Sequence, residues 1–376
     1  MKITIFGLSI TSSWGNGHAT TFRALCQALH RRGHRIVFFE RNQEWYQSNR
    51  DLPGPPYCEV RIFETWAEVL PRVRAELRDS DMAMVGSYFP DGIAALDEVL
   101  ESPIAVRAFY DIDTPITVSR LRDHGESDYL QQRQLPGLDI YFSFTGGPML
   151  EELQQKFGVP FAMPLYCSVD PDKHQELSAK QQFEWDLSYM GTYAPDRQPK
   201  LEQLLCEPAR RRARGRFIVA GPQYPASIIW PGNVERVTHL SPRHHAAFYG
   251  SSRLTLNVTR REMVMAGYSP SVRLFEAAAC ATTIVSDSWP GLPDFFAPGK
   301  EVLLPGDCED VLLYLSGYDQ HELWRIGRAA REKVLAGHTS DIRAREFEAA
   351  VDLATAKRLA PARRKRKDSI VLAAER

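Results

Sequence analysis

One short predicted helix begins with residues that could bind a phosphate. The stretch "SPSVRLFEAAACATTIVSD", Ser269 to Asp287, has the pattern of a loop, a helix and a buried strand. If the helix starts near Pro270, Ser271 and Val272 lie in its first turn, where unpaired amides and the helix dipole attract an anion. Arg273 adds a planar guanidinium that can contact a phosphate through two hydrogen bonds, which a lysine cannot match.

Glu276 follows three residues after Arg273 and suggests a different contact. Its carboxylate could accept two hydrogen bonds from a vicinal diol such as a ribose. The alternative is a surface ion pair with Arg273, worth about 0.2–0.5 kcal/mol. The residues that follow Glu276 are almost all apolar, and an unpaired carboxylate buried among them would be costly. This favours a ligand for Glu276 over simple solvation.

Polar residues also follow predicted strands in the first half of the chain. The loop "SITSSWGNGHATT" has no GxGxxG spacing, so NAD binding has no support there. His18 stands at the start of the next helix, either facing a cleft or exposed to solvent. Asp111 and Asp113 in "FYDIDTP" would share a face if extended, and could bind sugar hydroxyls or act as a base. Their alternative is an Asx turn before Pro115.

Two loops of the second half have a glycine directly after a strand. Gly191 and Thr192 follow "LSYM", and Arg197 comes near the start of the next helix. This order suits a phosphate contact, although Arg197 could also be an ordinary surface residue. Gly221 follows the strand "RFIVA" in the same way and lets a ligand approach the backbone.

The elements around these loops alternate between strand and helix. "KITIFGL", a helical "TTFRALCQALHRRGH" and "RIVFFE" form a βαβ opening, and a second series begins at "LSYMGTY" after a polar linker. Such alternation predicts an α/β protein with two doubly wound parallel sheets. We place the first domain at 1–169 and the second at 170–340. Ligands of such sheets bind beyond the carboxyl ends of the strands, which puts the loops above in one cleft.

Composition excludes several classes of protein. Apolar residues make up 44% and charged residues 25% of the 376, and the formal net charge is −1. This balance is typical of a soluble globular protein and argues against a general nucleic-acid binder. No apolar run of about 18 residues and no signal-peptide pattern occur, so a cytoplasmic location is expected. The six cysteines form no CxxC pair, and the ten histidines show no ligand spacing except for the adjacent His244 and His245, so we predict no metal.

The end of the chain is strongly basic. Residues 357–376 hold eight Lys or Arg against two Asp or Glu, a net charge of +6. Such a run predicts a solvated, disordered tail. The alternative is a weak tether to an anionic membrane surface or polymer.

Taken together, these stretches resemble the GT-B glycosyltransferases, and within them the CgeB-like group. The resemblance covers about Met1 to Ala356 and rests on the stretches "SSWGNGHATTFRALCQALHRRGH", "FYDIDTP", "SFTGGP", "YCSVDP", "MGTYAPDRQP" and "LNVTRREMVMAGYSPSVRLFEAAAC". It implies two Rossmann-like domains that face each other across a cleft. It also implies that a last helix, 341–356, returns to the first domain.

The resemblance further implies roles for single residues. Glu276 matches the glutamate that binds the ribose of the nucleotide sugar, and the backbone near Leu240 would contact the base. The diphosphate-binding residues would be Arg197, Ser271 and Arg273. A second glutamate of the pattern, which contacts the donor sugar, is replaced here by Tyr268. The predicted donor contacts therefore comprise Gly191, Thr192, Arg197, Gly221, Leu240, Tyr268, Ser269, Ser271, Val272, Arg273 and Glu276.

The function implied is transfer of a hexose from a nucleotide-diphosphate sugar, with UDP favoured. His18, Asp111 and Asp113 would face the acceptor, which stays open among glycan, small molecule and protein. No separate cofactor or metal is expected. Retention of configuration is favoured; inversion would need a base, and His18 or Asp111 could serve as one. Two alternatives remain: a nucleotide-sugar epimerase on the same fold, and a non-catalytic protein that binds a sugar nucleotide or a polymer.

Overall fold

The computed structural model describes residues 1–177 and 184–374, with side chains described up to residue 357. Its strands are β1 (Lys2–Phe6), β2 (Arg35–Arg41), β3 (Glu59–Phe63), β4 (Met82–Gly86), β5 (Val106–Asp111), β6 (Glu126–Ser127), β7 (Leu130–Gln131), β8 (Ile140–Ser143), β9 (Ala162–Pro164), β10 (Trp185–Met190), β11 (Phe217–Ala220), β12 (Val234–Val237), β13 (Ser252–Asn257) and β14 (Thr283–Ser286).

Its α-helices are α1 (Gly17–Arg31), α2 (Glu44–Gln47), α3 (Trp66–Arg78), α4 (Gly92–Glu101), α5 (Thr114–His124), α6 (Pro148–Gln155), α7 (Gln198–Leu201), α8 (Glu207–Arg211), α9 (His245–Gly250), α10 (Arg261–Ala266), α11 (Val272–Ala279), α12 (Leu292–Phe295), α13 (Cys308–Gly317), α14 (Gln320–Gly337) and α15 (Ser340–Ala374). Short 3₁₀ helices span Gln132–Gly137 and Pro242–His244, and a π-helical segment, Glu202–Cys206, joins α7 to α8.

The N-terminal domain contains a seven-stranded parallel sheet in the order β3-β2-β1-β4-β5-β8-β9. Hydrophobic clusters cover both of its faces, since neighbouring residues of one strand, such as Ile5 and Phe6 of β1, belong to different clusters. Burial on both faces explains why the central strands have continuous apolar runs rather than alternating ones.

The C-terminal domain contains a five-stranded parallel sheet in the order β12-β11-β10-β13-β14. In each sheet the first strand of the domain lies inside, and the strand order reverses beside it. This is the doubly wound topology, and the predicted α/β class with two such domains is confirmed. In such a sheet ligands bind at the carboxyl ends of the strands, next to the point where the strand order reverses. The loops of the candidate site follow these carboxyl ends.

Helix α15 runs back from the C-terminal domain onto the N-terminal one. Phe347 stacks on Phe142 of β8 with ring centroids 5.1 Å apart. Arg32, just after α1, forms an ion pair of 2.6 Å with Glu348. The helical backbone continues to Ala374, through most of the basic segment for which the sequence predicts disorder. Alanine, leucine, lysine and arginine dominate this segment, and all four favour helix.

Two loops connect the domains directly beside the cleft. The amide of Gly146 donates a hydrogen bond of 2.9 Å to the carbonyl of Tyr268. The hydroxyl of Thr145 donates to that of Ser269, also at 2.9 Å. The loops after β8 and after α10 are thus held together at the edge of the cleft. No described helix combines the length and apolar character needed to cross a membrane.

Candidate functional site

Two adjoining cavities, of about 220 and 460 Å³, lie between the domains. Their walls come from the loops that follow β1, β5, β10, β11 and β13 and from the start of α11. We call the smaller one the nucleotide cavity and the larger one the transfer cavity, after the roles that the resemblance implies for their walls. They share a wall that includes Gly17, Arg197 and Arg273. A ligand with two parts could therefore lie across both.

The structure brings most of the predicted site residues to these walls. Those in the nucleotide cavity are Gly191, Thr192, Arg197, Gly221, Leu240, Val272, Arg273 and Glu276. The transfer cavity adds His18, Asp113, Ser269 and Ser271. Asp111 and Tyr268 line neither cavity.

Gly221 shows why a glycine follows β11. Its φ of 150° and a neighbouring backbone leave no room for a side chain, because a Cβ here would lie 2.0 Å from the carbonyl oxygen of Gly191. The two strand-end loops therefore pack backbone against backbone. This brings the Gly191 loop and the Gly221 loop to the floor of the nucleotide cavity.

Two guanidinium groups of the cleft have no carboxylate partner within ion-pair distance among the described residues. Arg273 donates from Nε to the carbonyl of Met190 and from Nη1 to Asn257 Oδ1 at 2.9 Å. Arg197 donates to the carbonyl of Thr192, and its buried Nε has no hydrogen-bond partner. Burial lowers the pKa of Arg197, and the nearby charge of Arg273 adds to this. An anion bound between them would relieve both costs.

The start of α11 faces the same space. Ser271 is the N-cap residue, but its side chain makes no capping hydrogen bond to the helix. Its hydroxyl donates instead to Asn257 Oδ1 at 2.8 Å. The first amides of the helix are thus left without a side-chain acceptor, which is the arrangement that binds phosphate groups.

Glu276 lies at the inner end of the nucleotide cavity and is only 2% exposed. Its Oε2 accepts a hydrogen bond of 3.3 Å from the hydroxyl of Tyr249 and lies 3.3 Å from His245 Nδ1. His174 Nε2 is 3.6 Å from Oε1. Burial alone would raise the pKa of Glu276, but the two histidines and Arg273 outweigh it and hold the pKa at about 2. Glu276 is therefore a buried, ionised acceptor and does not form the surface ion pair that was its alternative.

His18 and Asp113 meet in the transfer cavity. His18 lies in the first turn of α1, which is capped by Asn16, and its Nε2 is 3.1 Å from Asp113 Oδ2. The side chain of Asp113 is 19% exposed, whereas Nδ1 of His18 is buried without a partner. Arg260 Nη1 lies 3.9 Å from the other carboxylate oxygen of Asp113. Both residues line the transfer cavity, and Asp113 is the more exposed of the two.

Asp111 does not take part in this pair, so the prediction that it faces the acceptor is wrong. It is fully buried, and its carboxylate accepts hydrogen bonds from the hydroxyls of Tyr141 and Thr117. Burial raises the pKa of Asp111 to about 6, although these hydrogen bonds act in the opposite direction. The carboxylate braces β5 against α5 and β8 instead of facing the cleft.

The raised pKa of Asp111 predicts a pH effect on stability. Because the folded protein binds this proton more tightly than the unfolded chain, ionisation of Asp111 should reduce the free energy of unfolding between about pH 4 and 6, by about 3 kcal/mol in all. Asp111→Asn cannot ionise. We expect its stability relative to the wild type to rise by this amount across that range, as measured by urea unfolding at several pH values. A constant difference would contradict the assignment.

Tyr268 is the second predicted site residue that lies elsewhere. A Cβ on Gly147 would meet its ring at 2.4 Å, and a Cβ on Gly291 would meet it at 2.5 Å. The ring is therefore packed against a glycine from each domain. The family resemblance implies a contact to the donor sugar at position 268. In the structure the ring of Tyr268 packs between the two domains instead.

Several residues of the cleft escaped the sequence analysis. Asn257 ends β13, and Arg260 follows it in the next loop, so their position after a strand was a usable signal. His174 gave no signal, and the adjacent pair His244 and His245 did not indicate Glu276 as a partner, because long stretches of chain separate both histidines of the cleft from it.

Comparison with known proteins agrees with this geometry. Residues 197–349 match the model of a family described as glycosyl transferase-like. This segment includes the start of α11, Glu276 and much of the nucleotide cavity. A search of curated proteins found no match to the chain.

Solved structures are similar over almost the whole chain. Sucrose-phosphate synthase from Thermosynechococcus elongatus has a TM-score of 0.69 at 13% identity, covering 95% of this chain and all of that one. HepE from Anabaena in complex with UDP and glucose has 0.65 at 11%, covering 94% and 99%. An alpha-glucosyltransferase in complex with UDP has 0.67 at 12%, covering 94% and 100%. The chain therefore has the GT-B fold that the resemblance implies.

Proposed function

We propose that this protein is a glycosyltransferase that uses a nucleotide-diphosphate hexose, with UDP as the nucleotide. The observation that carries the proposal is the nucleotide cavity itself. Arg197, Arg273 and the uncapped start of α11 lie on one wall, and the ionised carboxylate of Glu276 lies at the inner end. This pairs an anion site with a diol acceptor, which is the chemistry of a diphosphate joined to a ribose.

The base and the sugar would occupy opposite ends of the cleft. Leu240 and Pro242 line the same cavity as Glu276, and we place the base beside them. The transfer cavity on the other side of the arginines would receive the sugar. Two of the similar structures were determined with UDP bound, which supports UDP as the first nucleotide to test.

The diphosphate is the leaving group in our proposal. Its negative charge grows as the bond to the sugar breaks, and Arg273, Arg197 and the helix amides are placed to stabilise it without a divalent ion at the phosphates. Asp113, held by His18, would accept the hydrogen bond of the acceptor hydroxyl. We favour retention of configuration, in which the proton of that hydroxyl passes to the departing diphosphate. In an inverting enzyme Asp113 would take this proton itself.

A screen of nucleotide sugars tests the proposal most directly. Calorimetry with UDP-, GDP- and ADP-hexoses should give binding to a UDP-hexose, and slow release of UDP without acceptor would indicate transfer to water. Epimerised donor would instead indicate an isomerase. Binding without any turnover, even with a broad panel of acceptors, would indicate a non-catalytic binding protein. NMR of the product linkage would decide between retention and inversion.

The role of Glu276 predicts a specific defect. Glu276→Gln keeps the shape but removes the charge that accepts the two ribose hydroxyls. Hydrogen bonds to a charged group contribute about 1.5–3 kcal/mol, so we expect the KM for the donor to rise by about 10- to 150-fold. Removal of the 2′-hydroxyl from the donor should reduce its affinity for the wild type more than its affinity for the variant. An equal loss of donor affinity in both proteins would show that Glu276 does not bind the ribose hydroxyls.

A further inference from the structure

Three groups that can ligate a metal meet beside the nucleotide cavity, although they come from separate parts of the chain. His174 follows the first domain, His245 begins α9 and Glu276 lies in α11. One ligand atom of each lies within 4.8 Å of the other two. Two imidazoles and a carboxylate form the donor set of many open zinc sites, where a fourth position is left for water or substrate.

The distances are close to those of such a site. Bonds of about 2.0–2.1 Å to a tetrahedral metal place two ligand atoms about 3.3–3.4 Å apart. His245 Nδ1 lies 3.3 Å from Oε2 of Glu276, and His174 Nε2 lies 3.6 Å from Oε1, so each histidine faces its own carboxylate oxygen. A bound ion would have to draw the three groups together from separations of at most 4.8 Å. The negative charge of Glu276 favours a cation here.

The imidazole of His174 has only weak partners, namely the carboxylate of Glu276 and the backbone of Asp170. The residue is only 6% exposed, and neither ring nitrogen makes a hydrogen bond to the described residues. Nδ1 of His245 makes no standard hydrogen bond either, and faces Glu276. Buried imidazole nitrogens without partners are costly, and metal bonds would satisfy two of them, His174 Nε2 and His245 Nδ1.

An ion can reach these groups from two sides. His245 and Glu276 line the nucleotide cavity. His174 and Glu276 line a neighbouring cavity of about 580 Å³, whose wall also includes Asp51 and Asp170. The fourth position of a bound metal would thus open toward water. Asp51 and Asp170 are paired with Arg23 and Lys173 on the same wall, so the approach itself carries both signs of charge.

We propose that His174, His245 and Glu276 bind a divalent transition-metal ion of the zinc type. The geometry of the three side chains carries this proposal independently of the function above. Its consequence rests on the proposed function, because a metal bound to Glu276 withdraws charge from the carboxylate and makes it a weaker acceptor for the ribose hydroxyls. Metal and nucleotide sugar should therefore weaken each other's binding, so that the metal raises the KM for the donor.

Zinc titration of the chelator-treated full chain tests the site. We expect one Zn²⁺ per chain by calorimetry, and Co²⁺ should give the intense visible absorption of a tetrahedral site. His174→Ala and His245→Ala should each lower the affinity by more than the roughly 10- to 100-fold that loss of an outer-shell partner costs. His244→Ala is the matched control, since His244 is exposed beside His245.

The outcomes separate this proposal from the proposed function. Absence of Zn²⁺ binding, or equal affinity in the wild type, His174→Ala and Glu276→Gln, would overturn the metal site whatever the nucleotide does. Zn²⁺ binding that UDP does not weaken would keep the site and reject the ribose contact of Glu276. Circular dichroism of each variant shows that the fold is intact, and Glu276→Gln provides a nearly isosteric second test if a histidine variant unfolds.

Discussion

Asp113→Asn is expected to lower kcat for sugar transfer by about 100- to 10,000-fold, the usual range for loss of a positioned acid–base or acceptor-orienting group. Asp113 is the partly exposed carboxylate of the transfer cavity, and its Oδ2 lies 3.1 Å from His18 Nε2. Asparagine keeps the size of the side chain, but it cannot take a proton and it accepts a hydrogen bond from the acceptor hydroxyl less strongly. Donor affinity should stay close to that of the wild type, because the nucleotide cavity lies on the other side of the arginines.

A matched control lies on the same helix. Asp123 is exposed at the far end of α5, whose N-cap is Asp113, and Asp123→Asn should leave kcat unchanged. His18→Gln should reduce kcat in the same direction as Asp113→Asn, since it removes the group that orients the carboxylate. Full activity of Asp113→Asn would show that this pair takes no part in the mechanism. The rate enhancement would then come mainly from Arg197 and Arg273.

Arg273→Ala is expected to weaken donor binding and to lower kcat/KM by about 100- to 1,000-fold, as loss of one stabilising donor to a developing anion does elsewhere. Arg273 is fixed by Met190 and Asn257, so its guanidinium is already positioned when the diphosphate arrives. Arg273→Lys should recover only part of the loss, because an ammonium keeps the charge but not the two-point geometry. Calorimetry with UDP measures the binding part, and steady-state kinetics measure the rest.

The comparison needs a control for charge and for folding. Arg261 lies exposed at the start of α10, and Arg261→Ala removes the same charge from the protein without touching either cavity. Its donor affinity should match that of the wild type. If Arg273→Ala binds UDP as tightly as Arg261→Ala does while both remain folded, the assignment of Arg273 to the diphosphate is wrong.

Much of the architecture could be read from the chain itself. Strands buried on both faces appear in the sequence as continuous apolar runs, and the α-helices between them appear as apolar residues with a 3.6-residue period. These local patterns were sufficient to predict both doubly wound domains. Loops that follow parallel strands must come together at one edge of a sheet. This rule predicted that the loops of Gly191 and Gly221 meet in one cleft, and both residues line the nucleotide cavity.

Asp111 and Asp113 show where local rules stop. Residues two apart share a face only while the chain stays extended. Asp111 is the last residue of β5, and Asp113 is already the N-cap of α5 with ψ of 45°, so the chain turns between them. One carboxylate is buried below the sheet edge and the other faces the cleft. The spacing is local, but the point at which the strand ends is decided by its pairing with β4 and β8.

The contacts of Tyr268, and those that His174 and His245 make with Glu276, are visible only in the tertiary structure. The ring of Tyr268 is enclosed by Gly147 and Gly291, which come from different domains. His174 and His245 reach Glu276 from outside its helix, and nothing in their sequence spacing indicates this. The sequence determined the elements and the loops that carry the chemistry, because these follow from local patterns of burial. Which side chains meet was decided by domain packing, because such contacts join residues whose local patterns are independent of one another.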